Sequence, residues 1–280
     1  MNISPLRQLV SILLGLSASS LIAGGLPPLD WDELSQTNPW QYTEIYREVP
    51  VVTPGEQGSA PSDAVVLFDG TDLSAWQKTP FGEGVAVDRT EYYLKQYEEG
   101  SGWAPAAWKV EGGAIVAGQK QGAIASRRAF GDMQLHLEWK VPVLDGKDGQ
   151  EYGNSGVFLM GMYEVQVLNS YQNETYSNGQ AASIYKQHEP LVNASRAPGE
   201  WQSYDMIFTA PRFSEKGTLV SPALLTLLHN GVLVQHNAVL QGPTAFIGEP
   251  YYFPHPPKLP IVLQDHDNPV RYRNIWVREL

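Results

Sequence analysis

A chain of 280 residues with 42% hydrophobic and 18% charged residues is too apolar to stay unfolded and too varied to be fibrous. Thirty acidic against nineteen basic residues leave a formal charge of −11, which speaks against nucleic-acid binding. No cysteine occurs, so disulfides, thiolate nucleophiles and Cys-ligated metals are excluded.

Residues 1–23 read as a secretory signal. Arg7 is the sole charge before Gly25, an apolar stretch runs from Leu9 to Leu16, and small residues follow at Ser17-Ala-Ser-Ser20. The stretch is too short and serine-rich for a membrane span, so no span is expected once the signal is removed. The mature protein is therefore expected to be exported, periplasmic or extracellular. Residues 24–63 hold six prolines (Pro27, Pro28, Pro39, Pro50, Pro54 and Pro61) and read as an extended surface arm.

From residue 64 to 280 the hydrophobic pattern has period two. Met133-Gln-Leu-His-Leu-Glu-Trp-Lys-Val141 alternates without a break and predicts a strand whose odd-numbered positions are buried. Asn230-Gly231 between apolar arms predicts a hairpin, and Gly112-Gly113 predicts a second. Further strand candidates are 65–68, 122–127, 156–168, 203–209, 261–265 and 272–279, with 248–260 as a proline-rich loop. Roughly ten strands and no capped helix predict an all-β sandwich or barrel.

Alternation along Tyr163-Glu-Val-Gln-Val167 places Glu164 and Gln166 on one strand face, and Asn169 joins them only if a bulge shifts the register. A solvated outer face is the plain reading. The chemical reading is a carboxylate and two amides against a sugar. Ordinary glycoside hydrolysis needs two carboxylates about 5–9.5 Å apart, and Glu138 on the neighbouring pattern is the obvious second.

Eight segments then bear on family. Leu67-Phe-Asp-Gly-Thr-Asp-Leu-Ser-Ala-Trp76, Asn154-Ser-Gly-Val-Phe158, Tyr163-Glu-Val-Gln-Val167 and Pro190–Arg196 come first. Gly199–Asp205, His229-Asn-Gly-Val-Leu-Val234, Leu240-Gln-Gly-Pro-Thr244 and Leu263–Val277 complete the set. In that order they resemble the 3-keto-disaccharide hydrolase family across essentially the whole of residues 64–280. The resemblance implies a concanavalin A-like jelly-roll β-sandwich of two antiparallel sheets. It also implies an exported bacterial enzyme acting on 3-keto-glycosides, supplied by an upstream sugar oxidoreductase. The concanavalin-like glucanases carry Glu-x-Asp-x-x-Glu on such a strand, whereas this chain has Glu164-x-Gln166-x-x-Asn169 with one carboxylate. Three positions depart from the family pattern: Met162 for the usual Arg, Asn169 for Asp, and Asp267 for Gly.

A ketone at C3 acidifies the C2 proton, so a single base can start elimination of the C1 substituent. Glu164 is the expected base. Gln166, Asn169, Asn154, Tyr185, Arg196, Asp265, His266 and Arg271 are the expected substrate-binding set. Asp265 and Arg271 read equally well as a structural ion pair. No His-x-His spacing demands a metal, although Asp265 and His266 leave a divalent ion open. No dinucleotide- or phosphate-binding loop occurs, and no other cofactor is expected. The competing functions are a non-catalytic, lectin-like carbohydrate-binding module and a conventional two-carboxylate glycosidase.

Overall fold

The computed structural model describes residues 30, 32, 44–56, 58–79, 94, 103–117 and 120–280. The expected signal, residues 1–23, and most of the first half of the arm lie outside the described residues. The chain divides into a unit of residues 1–51 and a unit of residues 52–280. In the first, residues 44–51 form neither helix nor strand and are exposed. Among the described residues no helix is long and apolar enough to cross a membrane.

Residues 52–280 form an antiparallel β-sandwich of jelly-roll type. Its strands are β1 (Val65–Phe68), β2 (Trp76–Lys78), β3 (Lys109–Glu111), β4 (Ala114–Val116), β5 (Ile124–Phe130), β6 (Met133–Lys140), β7 (Ser155–Leu159) and β8 (Tyr163–Val167). They continue as β9 (Gln202–Thr209), β10 (Arg212–Phe213), β11 (Leu219–Ser221), β12 (Leu224–His229), β13 (Val232–Val239), β14 (Leu259–Leu263) and β15 (Arg271–Glu279). One sheet runs β13-β12-β9-β6-β15-β4-β3 with β1 also on β15, and the other runs β2-β5-β14-β7-β8. A small β10-β11 ribbon completes the set.

The alternation of β6 is realised as expected. Leu135, Leu137 and Trp139 are fully buried in the core, packed with Val157, Val165 and Leu263 of the facing sheet. The Tyr204 hydroxyl donates to the Gln166 carbonyl at 2.7 Å and ties the sheets together. Satisfying a buried carbonyl in this way avoids the cost of an orphaned acceptor. Both predicted hairpin turns form, with Asn230 and Gly231 at φ +54° and +78° and Gly112 and Gly113 at +58° and +71°.

Two local expectations are corrected. The run 156–168 is not one strand but the hairpin β7–β8, turned by Met160 and Gly161 at φ +54° and +69°. Met160 carries no turn signature, and its side chain is held in the core, so packing rather than residue preference sets this turn. His136 points away from the core as expected of its register, yet it is only 4% exposed. Its ring stacks on Trp276 with centroids 5.2 Å apart, and its Nδ1 meets Asp205 Oδ1 at 2.6 Å. The carbonyl of Gly58 accepts hydrogen bonds from Asn274 Nδ2 and Trp276 Nε1, which fastens the C-terminal part of the arm onto β15.

Candidate functional site

The outward face of the five-stranded sheet carries the candidate site. Register places Gln77 of β2, Ala125 of β5, Val262 of β14, Phe158 of β7 and Glu164 of β8 in one row across it. The segment after β8 returns along its free edge, with Ile184 opposite Val165 and Tyr185 N–H donating to the Glu164 carbonyl. Ile184 faces the core, so alternation turns Ser183 and Tyr185 outward beside Gln166 and Glu164. The neighbouring row is Ala123, Gln264, Gly156, Gln166 and Ser183. Small residues at 123, 125 and 156 let larger side chains lie over the middle of the sheet. Trp103 packs against the apolar part formed by Ala123, Ala125, Phe158 and Val262.

Glu164 is the chemically distinctive residue. It is only 5% exposed, and its carboxylate has no hydrogen-bond or ion-pair partner among the described residues. Burial alone pushes its pKa up, from an ordinary 4.5 to about 8. Its position is well determined: the backbone N–H donates to Thr244 Oγ1 at 2.9 Å. Gly156 lies directly beneath the carboxylate, where an added Cβ would come within 2.5 Å of Glu164 Oε1. The glycine therefore provides the space in which the acid sits. Desolvation also raises the Tyr185 hydroxyl, whose oxygen is 2.6 Å from that of Tyr176, with Glu164 a smaller contributor.

Beside the acid stands a group of unmatched polar atoms. Gln166 Oε1, Gln264 Oε1 and Ser183 Oγ are buried without a hydrogen-bond partner. Buried polar atoms are normally paired, so a cluster of three around Gly156 is a cluster of unused donors and acceptors. The face thus gathers an apolar cluster at Phe158 and Val262, polar atoms without partners on Gln166, Gln264 and Ser183, and one acid-base group.

The structure brings together Glu164, Gln166 and Tyr185 of the expected residues. Asn154 stands close by but serves the scaffold, its Nδ2 donating to the Gln150 carbonyl at 2.8 Å. Asn169 holds the turn leaving β8, with Oδ1 accepting from Tyr171 N–H at 3.2 Å. Met162 is buried in the core, so these two departures from the family pattern have separate surroundings. Glu138 lies on the outward face of the other sheet, bonded to Arg273 Nε at 2.6 Å and Asn274 Nδ2 at 3.0 Å. It is not placed with Glu164. Asp265 and Arg271 do not pair with each other. The Asp265 carboxylate accepts from the N–H groups of Gln121, Gly122 and Asp267, and Arg271 bonds Glu111 at 3.0 Å. Arg196 donates to the Trp201 carbonyl in the loop before β9, and His266 is exposed.

Sequence reasoning passed over Gln150, Gly156, Ser183, Thr244 and Gln264. Gly156, Thr244 and Gln264 stand inside the family motifs, which was an available signal. Ser183 and Gln150 become visible only through register and burial. Among the described residues, no group of three His, Asp or Glu side chains is placed to hold a metal ion.

The outward face of this jelly-roll sheet combines an apolar cluster, amide oxygens without partners and one buried acid. The chain belongs to the family described as the 3-keto-alpha-glucoside-1,2-lyase-like domain, whose model matches residues 63–278. A crystal structure of a "putative glycosyl hydrolase" from Parabacteroides distasonis ATCC 8503 is 44% identical, with a TM-score of 0.73. That match covers 86% of this chain and 96% of the relative. A second structure of the same description and organism shares the fold at 17% identity and TM-score 0.52, covering 81% and 98%. No curated protein matches the chain.

Proposed function

We propose that this protein cleaves the glycosidic bond of 3-keto-glycosides by elimination, with Glu164 as the base. The observation that carries this reading is the buried, unpaired Glu164 carboxylate with its pKa raised to about 8. A raised pKa makes a carboxylate a stronger base once ionised, and the C2–H beside a ketone is a proton within its reach. In the reaction the C2–H bond breaks and its proton goes to Glu164. The electron pair enters the C3 carbonyl as an enolate. The enolate then reforms the ketone, a C1–C2 double bond forms, and the glycosidic oxygen leaves from C1 and takes up a proton. Water adds to the unsaturated product afterwards.

The two rows contain no second carboxylate, which favours one-base elimination over conventional hydrolysis at a carboxylate pair. The 44%-identical glycosyl hydrolase relative supports action on a glycosidic bond. An upstream oxidoreductase that makes the 3-ketone, and export across the membrane, belong to this proposal.

The test compares a 3-keto-disaccharide with its unoxidised parent. Cleavage of the keto form alone is expected, and Glu164→Gln is expected to lower kcat by at least about 10²-fold. With a base titrating near 8, kcat/KM should rise with pH up to about 8 and level off above it. Equal cleavage of both sugars, or full activity in a folded Glu164→Gln protein, would refute the proposal. Binding of the sugars without turnover would make the protein a lectin-like module instead.

A further inference from the structure

The orientation of one amide in the site is dictated by a chain of hydrogen bonds that starts on the backbone. The Gly179 carbonyl can only accept, so Gln150 must turn its NH2 toward it, at 2.8 Å. The same NH2 reaches Thr175 Oγ1 at 3.0 Å. Gln150 Oε1 is thereby turned toward Gln166, 3.0 Å from Nε2, and only an NH2 satisfies it there. Gln166 Nε2 lies also 3.4 Å from the Gly179 carbonyl. One atom of the pair is left over: Gln166 Oε1, buried and unpartnered.

Gln150 itself is held firmly. It lies in the 3-10 turn Gly149–Glu151, and its carbonyl accepts from Asn154 Nδ2. Asn173 brackets the turn, receiving the Gly149 N–H at 2.7 Å and donating to the Gly149 carbonyl at 3.0 Å. An amide that usually can flip to donate or accept is here fixed as an acceptor.

We propose that Gln150 and Gln166 form an orientation-locked amide relay whose free end, Gln166 Oε1, reads a substrate hydroxyl beside the ketone. Gln166 selects for that hydroxyl, and Gln150 is its positioning residue. The inference rests on the proposed 3-keto-glycoside function and adds a specificity determinant to it. Glu164 and Gln166 are two residues apart on one strand face, about 7 Å along the strand. Both adjoin Gly156, toward which the Glu164 carboxylate leans. A pyranose with its C2–H at Glu164 therefore spans to Gln166. An acceptor there welcomes an O–H, refuses a carbonyl, and is left buried and unpaired by a deoxy carbon. The C3 ketone accordingly points elsewhere, and the hydroxyl read is the one on C2 or on C4.

The experiment uses Glu164→Gln protein as a non-reacting binder. Methyl 3-keto-glucoside and its 2-deoxy and 4-deoxy analogues are titrated calorimetrically. One deoxy analogue is expected to bind about tenfold or more weakly than the parent. Adding Gln166→Met or Gln150→Met should shrink that difference below about threefold, while binding of the deoxy analogue stays near its starting value. A purely structural role for Gln150 would weaken all three ligands alike. An unchanged penalty in both variants, or no penalty for either deoxy sugar, would overturn the relay and leave Gln166 Oε1 to an ordered water. Failure of the parent to bind would refute the 3-keto-glycoside function first, before any variant is compared. Hydrogen exchange of the Gln166 side-chain NH2 needs no variant at 150 or 166: slow exchange is expected of a locked donor, and rapid exchange would overturn the lock.

Discussion

The unpaired carboxylate that makes Glu164 a candidate base also weakens the fold in a pH-dependent way. In the unfolded chain a glutamate titrates near 4.5, and in the folded protein Glu164 titrates near 8. Between those values the unfolded chain has released a proton that the native state still holds. Stability is therefore lost as pH rises from 4.5 and stops falling above 8. Taking each unit as 1.36 kcal/mol, the loss is about 1 kcal/mol at pH 5, about 3 at pH 7 and about 5 above pH 9.

Glu164→Gln removes this titration while keeping the shape and the hydrogen-bonding demand of the neutral acid. At pH 5 the variant and the wild type should melt within a few degrees of each other. At pH 7 the variant should be more stable by about 3 kcal/mol, or about 6–12 °C in Tm for a domain of this size. The gap should widen to pH 9 and then hold. Differential scanning calorimetry at four pH values measures it directly. A gap independent of pH would show that Glu164 is not desolvated. A variant less stable at pH 9 would show that a cation or donors stabilise the carboxylate in solution, which lowers a pKa instead of raising it. Either result would remove the ground for assigning Glu164 as a strong base.

Other outcomes follow from the geometry around the site. Gly156→Ala places a methyl group within 2.5 Å of Glu164 Oε1 and 3.0 Å of the Phe158 ring, so kcat should fall at least about tenfold, with a loss of about 1–3 kcal/mol in stability from overpacking. Glu138→Gln changes a group on the opposite outward face, so activity on a 3-keto-glycoside should stay within about twofold. Asp265→Ala strips the acceptor from three backbone N–H groups and should cost about 2–3 kcal/mol in denaturant unfolding. An unchanged midpoint would show that solvent replaces the clamp.

The sandwich was legible because one buried face per strand leaves a period-two record, as β6 shows without a break. The β7–β8 turn was not, since Met160 adopts its left-handed backbone for the sake of a core contact that no local signal encodes. In the site, Glu164 and Gln166 were legible as a same-face pair, which is a property of one strand. Their partners were not, because they arrive from elsewhere: Gln264 after β14, Ser183 from the returning segment, and Gln150 from a 3-10 turn. Asp265 and Arg271 were ambiguous for a related reason. Both residue types suit either a ligand or a clamp, and only the three N–H groups around Asp265 decide the matter.

Glu138 illustrates how strand order determines the number of acids available. β6 and β8 both alternate, and in sequence Glu138 and Glu164 look equally suited to a shared face. They belong to different sheets of one sandwich, however, and each points away from the common core. Two outward faces on opposite sides of a bilayer of sheets cannot meet, since stacked sheets alone are about 10 Å apart. Glu138 is then free to form its ion pair with Arg273 and brace β15. Glu164 is left without a carboxylate partner in its rows and, among the described residues, without a compensating cation. Under the proposed function this acid acts alone as the base, and the chemistry begins with a single proton transfer. A substrate already activated by a ketone is the kind of sugar for which one proton transfer is enough.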